Sequence, residues 1–347
     1  MTAALSLPRL TRHVTSGGAR VYTLTLDAFP HLTVNAFLVV VGEPRAPTYT
    51  ALVDTGSSQS GSTEGLTGGL AALREQWGEG WSWDTLSRIV VSHAHPDHVA
   101  GLPFVRTLTD APVAAHRLDV PTIQNPESAR AAATLQVEDY LRWAGVSGEY
   151  AARMRNRARN LMLPAGVVVE TALQGGELLD GHFRVIHTPG HAGGQVCLQL
   201  DDLLLSADHL LPHNSPPLMP ERAHPWGGLA HYLASLDRTL ALEGVMLALG
   251  GHGGPMTDWR GRVQHLRERY AGKVQAVLDA TDEPVTVQEL TLKLFPRLNR
   301  VQALLLLDQT GALVEYLVGQ GQLEEVTGER TAEGTRQTLF RRVPPGT

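Results

Sequence analysis

Short apolar runs alternate with polar turns and amphipathic segments along the first half of the chain. Gly42–Pro47 is rich in turn-forming residues and predicts a hairpin loop between two of these runs. Glu64–Gln76 has the pattern of a helix, and Arg88–Ser92 has that of a short buried strand. Three further runs are rich in β-branched and apolar residues and predict strands, namely Val21–Leu26, Val34–Val41 and Thr48–Val53.

The middle of the chain contains a segment of different character. From about 121 to 164 the pattern predicts two or three helices and gives no strand signal, which indicates an inserted helical lid. Strand patterns then resume, and the alternation of strands with helices favours a layered α/β domain over a helical bundle. The predicted strands after the lid are Val167–Thr171, His182–His187, Val196–Leu200, Leu203–Ser206 and the buried run Leu242–Leu249.

The pattern changes again after Trp259. Thr286 and Glu289 have the spacing of a capping box, in which two side chains satisfy backbone amides at the start of a helix. Three helices followed by a hairpin are typical of a winged helix, so we predict one domain over 1–260 and a winged-helix domain over 261–347. The predicted elements are helices at Arg262–Ala280, Thr286–Leu294 and Val301–Val318, and strands at Leu323–Val326 and Thr338–Arg342.

Composition narrows the class of protein. Apolar residues make up 43% of the 347 residues and charged residues only 18%, so we expect a folded chain without long disordered tracts. The net charge of −6 disfavours a general nucleic-acid binder, which needs clustered Lys and Arg. Cys197 is the single cysteine, so no intramolecular disulfide forms, which is typical of a reducing cytoplasm. The N-terminal apolar stretch is broken at Pro8 and predicts neither a signal peptide nor a membrane span, and we predict a cytoplasmic protein.

A histidine-rich motif, SHAHPDH at residues 92–98, joins a predicted buried strand to a predicted helix. His93 and His95 lie two apart on extended backbone and can converge from a tight loop. Asp97 and His98 lie at the helix start and can point to a second position nearby. Imidazole and carboxylate are the ligands that zinc binds where thiolates are absent. A solvated histidine-rich loop is the alternative, and this density of ligands directly after a buried strand disfavours it.

Isolated ligand residues follow three other predicted strands. His191 in the sequence TPGH follows the strand ending at His187, and Asp208 follows Leu203–Ser206. His252, in a glycine-rich turn, follows the apolar run Leu242–Leu249. A lone histidine in a loop is more often solvated than bound to a metal. The same placement at three strand ends predicts a metal centre built from several loops.

Taken together, these motifs resemble the metallo-β-lactamase superfamily over the segment from Val21 to Pro255. The family signature is an Asp at an early strand end, an HxHxDH loop, and then a His, an Asp and a final His. Asp54 in the sequence LVDTG occupies the first of these positions. The resemblance implies a four-layer αββα catalytic domain over 1–260, carrying the helical lid at about 121–164, and seven metal ligands: His93, His95, Asp97, His98, His191, Asp208 and His252.

The resemblance also implies a role for each residue of this set. Asp208 would bridge two metal ions, and Asp54 would hold the ligand loop by hydrogen bonds without binding a metal. Two divalent ions lower the pKa of a shared water, and Asp97 would accept its proton. Zinc is the favoured metal because His95 occupies the position at which flavodiiron relatives carry Glu. Iron and manganese are the alternatives. One metal would be bound by His93, His95 and His191, and the other by Asp97, His98 and His252.

Two regions outside this motif set leave alternatives open. Arg153, Arg155, Arg157 and Arg159 in the lid are expected on a solvated helix, and the alternative is that one pair contacts an anionic substrate group. From 261 to 347 there are eleven Lys and Arg against eleven Asp and Glu, and the third helix is apolar. We therefore expect a packing or homodimerisation element rather than a nucleic-acid-binding module.

These observations give one main functional hypothesis and two alternatives. The main hypothesis is a metal-dependent hydrolase that uses a metal-bridging hydroxide to cleave a small-molecule thioester, ester or lactone. One alternative is an endoribonuclease acting on single-stranded RNA, as in some superfamily members with a C-terminal winged helix. The other is a non-catalytic binding protein on the same fold, which the complete ligand set disfavours.

Overall fold

The computed structural model describes residues 9–163, 166–297, 302–330 and 336–344. Four details of the sequence predictions fall outside these ranges. They are the N-terminal stretch before Pro8, the end of the lid at 164, the start of the third C-terminal helix at Val301, and the tip of the C-terminal hairpin.

The first sheet has seven strands that follow chain order, β1 to β7. Pairing is antiparallel from β1 to β4 and parallel from β4 to β7. The strands are β1 (Arg9–Val14), β2 (Arg20–Phe29), β3 (Leu32–Glu43), β4 (Ala46–Val53), β5 (Arg88–Val91), β6 (Val113–His116) and β7 (Thr171–Leu173).

The second sheet has six strands, also in chain order, and packs face to face with the first. Successive side chains of a strand point to opposite faces. In β3, Phe37 and Val39 therefore meet Phe183 and Val185 of the second sheet in the core between the sheets. The strands are β8 (Leu178–Leu179), β9 (Phe183–His187), β10 (Val196–Leu200), β11 (Leu203–Ala207), β12 (Leu247–Gly250) and β13 (Pro255–Met256).

Helices cover the outer faces of both sheets and complete four layers, so the predicted α/β fold is confirmed. The first sheet packs against α1 and the short helices after β5, and the second against α7 and α8. None of the helices in the described ranges is both long and apolar enough to cross a bilayer. They are α1 (Ser60–Trp77), α2 (Pro96–Val99), α3 (Leu102–Val105), α4 (Val120–Gln124), α5 (Pro126–Ala144), α6 (Gly148–Arg159), α7 (Leu229–Leu240), α8 (Trp259–Asp279), α9 (Val287–Leu294) and α10 (Gln302–Gly319).

The lid and the C-terminal segment share one apolar core with the second sheet. Buried side chains of α5 and α6 belong to the same cluster as those of α7, α8, α9 and α10. A final hairpin, β14 (Leu323–Arg330) and β15 (Arg336–Arg342), adds Phe340, whose ring meets that of Trp143 in α5. The domain boundary predicted at residue 260 stays a prediction. Side chains before and after this residue pack in the same core.

Local differences from the predicted elements have physical reasons. The strand predicted at Val167–Thr171 begins only at Thr171, because the chain first contacts Ile123 and Val113 through single backbone hydrogen bonds. The run Leu242–Leu249 forms a strand only from Leu247, since its first part turns from α7 into the sheet. The capping box at Thr286 and Glu289 is confirmed by reciprocal hydrogen bonds.

Candidate metal centre

Strand ends from both sheets meet at one edge of the molecule. β4 and β5 run parallel, so the residues after them, Asp54 and the 92–98 loop, lie side by side. β11 and β12 are also parallel, and they place Asp208 beside His252. His191 follows β9 in the same sheet. The fold therefore gathers residues that are far apart in sequence into one set of loops.

The imidazoles and carboxylates of these loops form one cluster, most of it buried. Three groups of side chains each offer one ligand atom per residue, with all atoms of a group within 4.8 Å of one another. All seven residues singled out from the sequence as metal ligands belong to these groups, and their role as ligands stays a prediction. The groups are His93, His95 and His191; His93, His98 and Asp208; and Asp97, His98 and His252.

Asp208 lies between two sides of the cluster. Its Oδ1 is 3.5 Å from His98 Nε2, and its Oδ2 is 3.5 Å from His191 Nε2. The same Oδ2 lies 3.3 Å from His252 Nε2. Asp208 therefore presents both carboxylate oxygens to imidazoles of the cluster, and its role as a bridging ligand stays a prediction.

The outer ring nitrogens of the imidazoles are already held by the protein. His98 Nδ1 lies 2.8 Å from Asp54 Oδ2, and His191 Nδ1 lies 2.8 Å from the carbonyl oxygen of Pro217. The inward-facing Nε2 atoms of both rings, and Asp208 Oδ1, are buried without hydrogen-bond partners. Buried polar atoms are costly without partners, and metal ions at this position would supply them. The residues present therefore fit a metal centre.

Asp54 supports the ligand loop from outside the cluster. Its Oδ1 accepts a hydrogen bond from the Ser92 amide, and its Oδ2 accepts one from the Ser92 hydroxyl, both at 2.7 Å. The backbone of Asp54 has φ of 61°, a conformation that non-glycine residues seldom adopt. Asp54 thus contacts both His98 and the start of the loop, and its supporting role stays a prediction.

The imidazoles of the cluster form two groups, one with a lowered pKa and one with a raised pKa. Burial lowers the pKa of His93 well below its ordinary value and lowers the pKa of His95 to about 3. Burial also lowers the pKa of His191. A neutral imidazole offers a lone pair, which is the form that binds a metal.

The other imidazoles respond to the nearby carboxylates. Burial works against the charged form of His98, but Asp208 and Asp54 outweigh it and raise its pKa. Burial likewise opposes the charge on His252, but hydrogen bonds to Asp208 and Asp97 raise its pKa to about 10. Positive charge is thus favoured beside the carboxylates, and bound cations would supply it in place of protons.

Two residues that contact the loops of the cluster were missed by sequence reasoning. The Asn35 side chain donates hydrogen bonds to the carbonyls of Gly250 and Gly253, both at 2.9 Å, and so fixes the loop that carries His252. Asp119 accepts a hydrogen bond from the Ala94 amide at 2.9 Å, inside the histidine-rich loop. Burial raises the pKa of Asp119 to about 7. Neither residue belongs to a motif, because both act through contacts with distant backbone.

A cavity of about 580 Å³ adjoins the cluster and extends under the lid. His95, Asp119 and His224 line it near the candidate metal centre, and α5, α6 and α10 supply other parts of its wall. Ligand sites of small molecules have volumes in this range. Helices of the segment predicted to be a lid thus line a pocket that reaches the cluster, and the function of this segment as a lid stays a prediction.

Comparison with known proteins defines the class. The family model of the metallo-beta-lactamase superfamily matches residues 30–252. A metallo-beta-lactamase family protein from Thermus thermophilus is 27% identical, with a TM-score of 0.69 over 93% of this chain and 98% of its own. A beta-lactamase domain protein from Burkholderia ambifaria is 20% identical, with a TM-score of 0.75 over 97% of this chain and 95% of its own. No curated protein matches the chain.

Fold, cluster and family model agree on one class of protein, a metal-dependent hydrolase with its site at the loop edge of a β-sandwich. The chain belongs to the metallo-beta-lactamase superfamily. Members of this family bind divalent metal ions, often two. The membership of this superfamily, which the motif set predicted, is therefore confirmed.

Proposed function

We propose that the protein hydrolyses a small-molecule thioester, ester or lactone with two zinc ions bound by the cluster. The observation that carries this proposal is the cavity, which has His95 in its wall and is roofed by the lid helices. A pocket of this size suits a small carbonyl compound better than a polymer.

The reaction adds water across one bond. The oxygen of water bonds to the acyl carbon, the C–S or C–O bond breaks, the leaving thiol or alcohol takes one proton, and the acid product releases the other. When bound, the two ions supply Lewis acidity and a water of lowered pKa. Asp97 would accept a proton from that water, and without bound metal its carboxylate is ionised. Burial opposes this charge, but His98 and the hydrogen bond from His252 outweigh it and lower the pKa of Asp97 to about 2.

Zinc is the ion that the donor set favours. The candidate ligands are imidazole nitrogens and carboxylate oxygens, and Cys197, the single thiol of the chain, is buried. Zinc binds such sets readily, while iron and manganese bind them too. Elemental analysis of protein purified without added metal would identify the ion, and a content of about two zinc ions per chain is expected.

The contacts of two arginines at the start of α8 support a small molecule over RNA as the substrate. Arg260 donates to the carbonyls of Leu240 and Leu242, and Arg262 donates to the carbonyl of Leu211. These guanidinium groups tie α8 to the catalytic layers. A single-strand groove instead presents cations and aromatic faces to the nucleic acid.

The test compares two substrate classes on metal-loaded protein. A panel of acyl thioesters, esters and lactones and a labelled single-stranded RNA would be assayed with the wild type, with Asp208→Ala, and with Asp110→Ala, an exposed carboxylate outside the cluster. We expect turnover of an acyl compound that is lost in Asp208→Ala and retained in Asp110→Ala. RNA cleavage lost in Asp208→Ala, with the panel untouched, would replace the proposal with the ribonuclease alternative.

A further inference from the structure

The wall of the cavity under the lid is mostly apolar. α5 presents alanines to it at positions 129, 132 and 133, followed by Val137 one turn further on. This spacing places the side chains on one face of the helix. Met154 of α6 and Leu163 after it add to the same wall. Small side chains on a helix that covers a pocket leave space for a ligand, and this space is lined by hydrocarbon.

The C-terminal segment closes part of this wall. Arg157 of α6 donates a hydrogen bond of 2.7 Å to Asp308 of α10, and both residues line the cavity. Tyr140 of α5 also lines it and donates a hydrogen bond to the carbonyl of Leu307. The Asp308 carboxylate therefore balances the positive charge of Arg157 within this wall.

Polar groups lie where the cavity meets the cluster. His224 Nε2 accepts a hydrogen bond from the Gly193 amide at 3.3 Å, and Asp119 accepts one from Ala94. Both side chains line the cavity together with His95. A ligand that spans this space meets polar groups near the metal cluster and hydrocarbon along the wall of α5.

From this arrangement we infer that the cavity binds the straight apolar acyl chain of the substrate, so that the protein acts on fatty acyl thioesters, esters or lactones. The inference rests on the proposed function and names its substrate class. The carbonyl group lies at the cluster and the chain lies along Ala129, Ala133 and Val137. Burying hydrocarbon in an apolar pocket is favourable in proportion to the area removed from water.

Chain length is the variable that tests this assignment. Each methylene group buried in the cavity should raise the affinity about fourfold, until the space is filled. The probes are straight-chain carboxylates from acetate to dodecanoate, the acid products of the proposed reaction. All of them share the carboxylate, so differences in affinity measured by titration calorimetry on metal-loaded protein report on the chain alone.

A matched pair of variants tests where the acyl chain of the ligand binds. Ala133→Phe places a ring in the cavity wall, and Ala131→Phe places the same ring on the exposed side of α5. We expect acetate affinity to be unchanged in both, and dodecanoate affinity to fall at least tenfold only in Ala133→Phe. If Ala133→Phe does not unfold cooperatively, Ala158→Phe in the α6 wall takes its place.

Affinity that does not depend on chain length would overturn the inference, as would equal dodecanoate affinity in both variants. Calorimetry needs no turnover, so the two proposals can fail separately. Length-dependent binding without hydrolysis of any acyl compound would refute the proposed reaction and keep the cavity assignment. Hydrolysis of acyl compounds, together with a carboxylate affinity that does not depend on chain length, would support the proposed reaction and refute the cavity assignment.

Discussion

The metal cluster and the lid cavity are adjacent but are built in different ways. In the cluster, each ligand atom has a fixed position, because strand ends, Asp54 and backbone carbonyls hold the imidazoles. In the cavity, space is defined by side chains of three helices that share only size and apolar character. Under the proposed function, the cluster would determine which reaction takes place, and the cavity would determine which compound reacts. Variants in the two regions should therefore have separable effects.

Metal removal should have the largest effect and should test the cluster alone. Chelation should abolish hydrolysis, and zinc should restore it, because the ions supply several kcal/mol of transition-state stabilisation. It should also lower the thermal unfolding temperature, since a ligand at about a hundred times its Kd stabilises the fold by about 2.7 kcal/mol. Activity and unfolding would be measured before chelation, after it and after zinc is returned. Full activity in metal-free protein would contradict a metal-dependent reaction.

Asp54→Asn should have the next largest effect, because it changes a support of the cluster and leaves every candidate ligand in place. The amide cannot provide two acceptor oxygens to Ser92 and His98, which now share the Asp54 carboxylate. Such supporting groups typically contribute about 10-fold to 100-fold to metal affinity or activity. Zinc affinity would be measured by competition with a chelator, alongside Asp27→Asn on the exposed surface of β2. Equal affinity in the two variants would show that Asp54 has no part in orienting the ligands.

The cluster was predictable from sequence because its chemistry depends on residue types at fixed spacing. The SHAHPDH motif and three ligand residues at strand ends were enough to name the residues that the fold brings together. Asn35 and Asp119 were not predictable in this way. Each is a single polar residue on an ordinary strand or loop, and its partners are backbone groups at distant positions.

The cavity shows where sequence reasoning reached its limit. The helical lid was predicted from its pattern, and its apolar face was visible in principle. The pairing of Asp308 in α10 with Arg157 was not predictable, because no periodicity relates a lid residue to one about 150 positions away. The expectation that the lid arginines lie on a solvated helix therefore does not hold for Arg157, which lines the cavity and pairs with a buried carboxylate.

Arg157→Ala should change the stability of the fold but not the metal content of the protein. Asp308 is 3% exposed and would lose its charged partner, whereas the Arg157 side chain is 35% exposed, which reduces the effect. We expect the free energy of unfolding to fall by about 1–2 kcal/mol. Denaturant unfolding and zinc content would be compared with Arg159→Ala, an exposed residue of the same helix. A loss of bound zinc in Arg157→Ala would mean that the two regions are not independent.

The smallest expected effect concerns His116, at the end of β6, which belongs neither to the cluster nor to the lining of the cavity. Its ring stacks on that of His187, with centroids 3.9 Å apart, and its Nε2 lies 3.2 Å from the carbonyl of Gln174. Burial, with a contribution from His187, lowers the pKa of His116 to about 4. The unfolded chain, with a value near 6.5, then binds more protons than the folded one as the pH falls. The contribution of His116 to the free energy of unfolding is therefore fully present above pH 6.5. It is lost as the pH falls toward about 4.

Replacement by Phe keeps a planar ring on His187 and removes the titration. His116→Phe loses the contact with Gln174, so its unfolding free energy should be lower above pH 6.5. Its decline between 6.5 and about 4 should be shallower than that of the wild type, because the other histidines titrate equally in both proteins. Denaturant unfolding of zinc-loaded protein across this range measures both slopes. Parallel declines would show that His116 takes up its proton without cost to the fold.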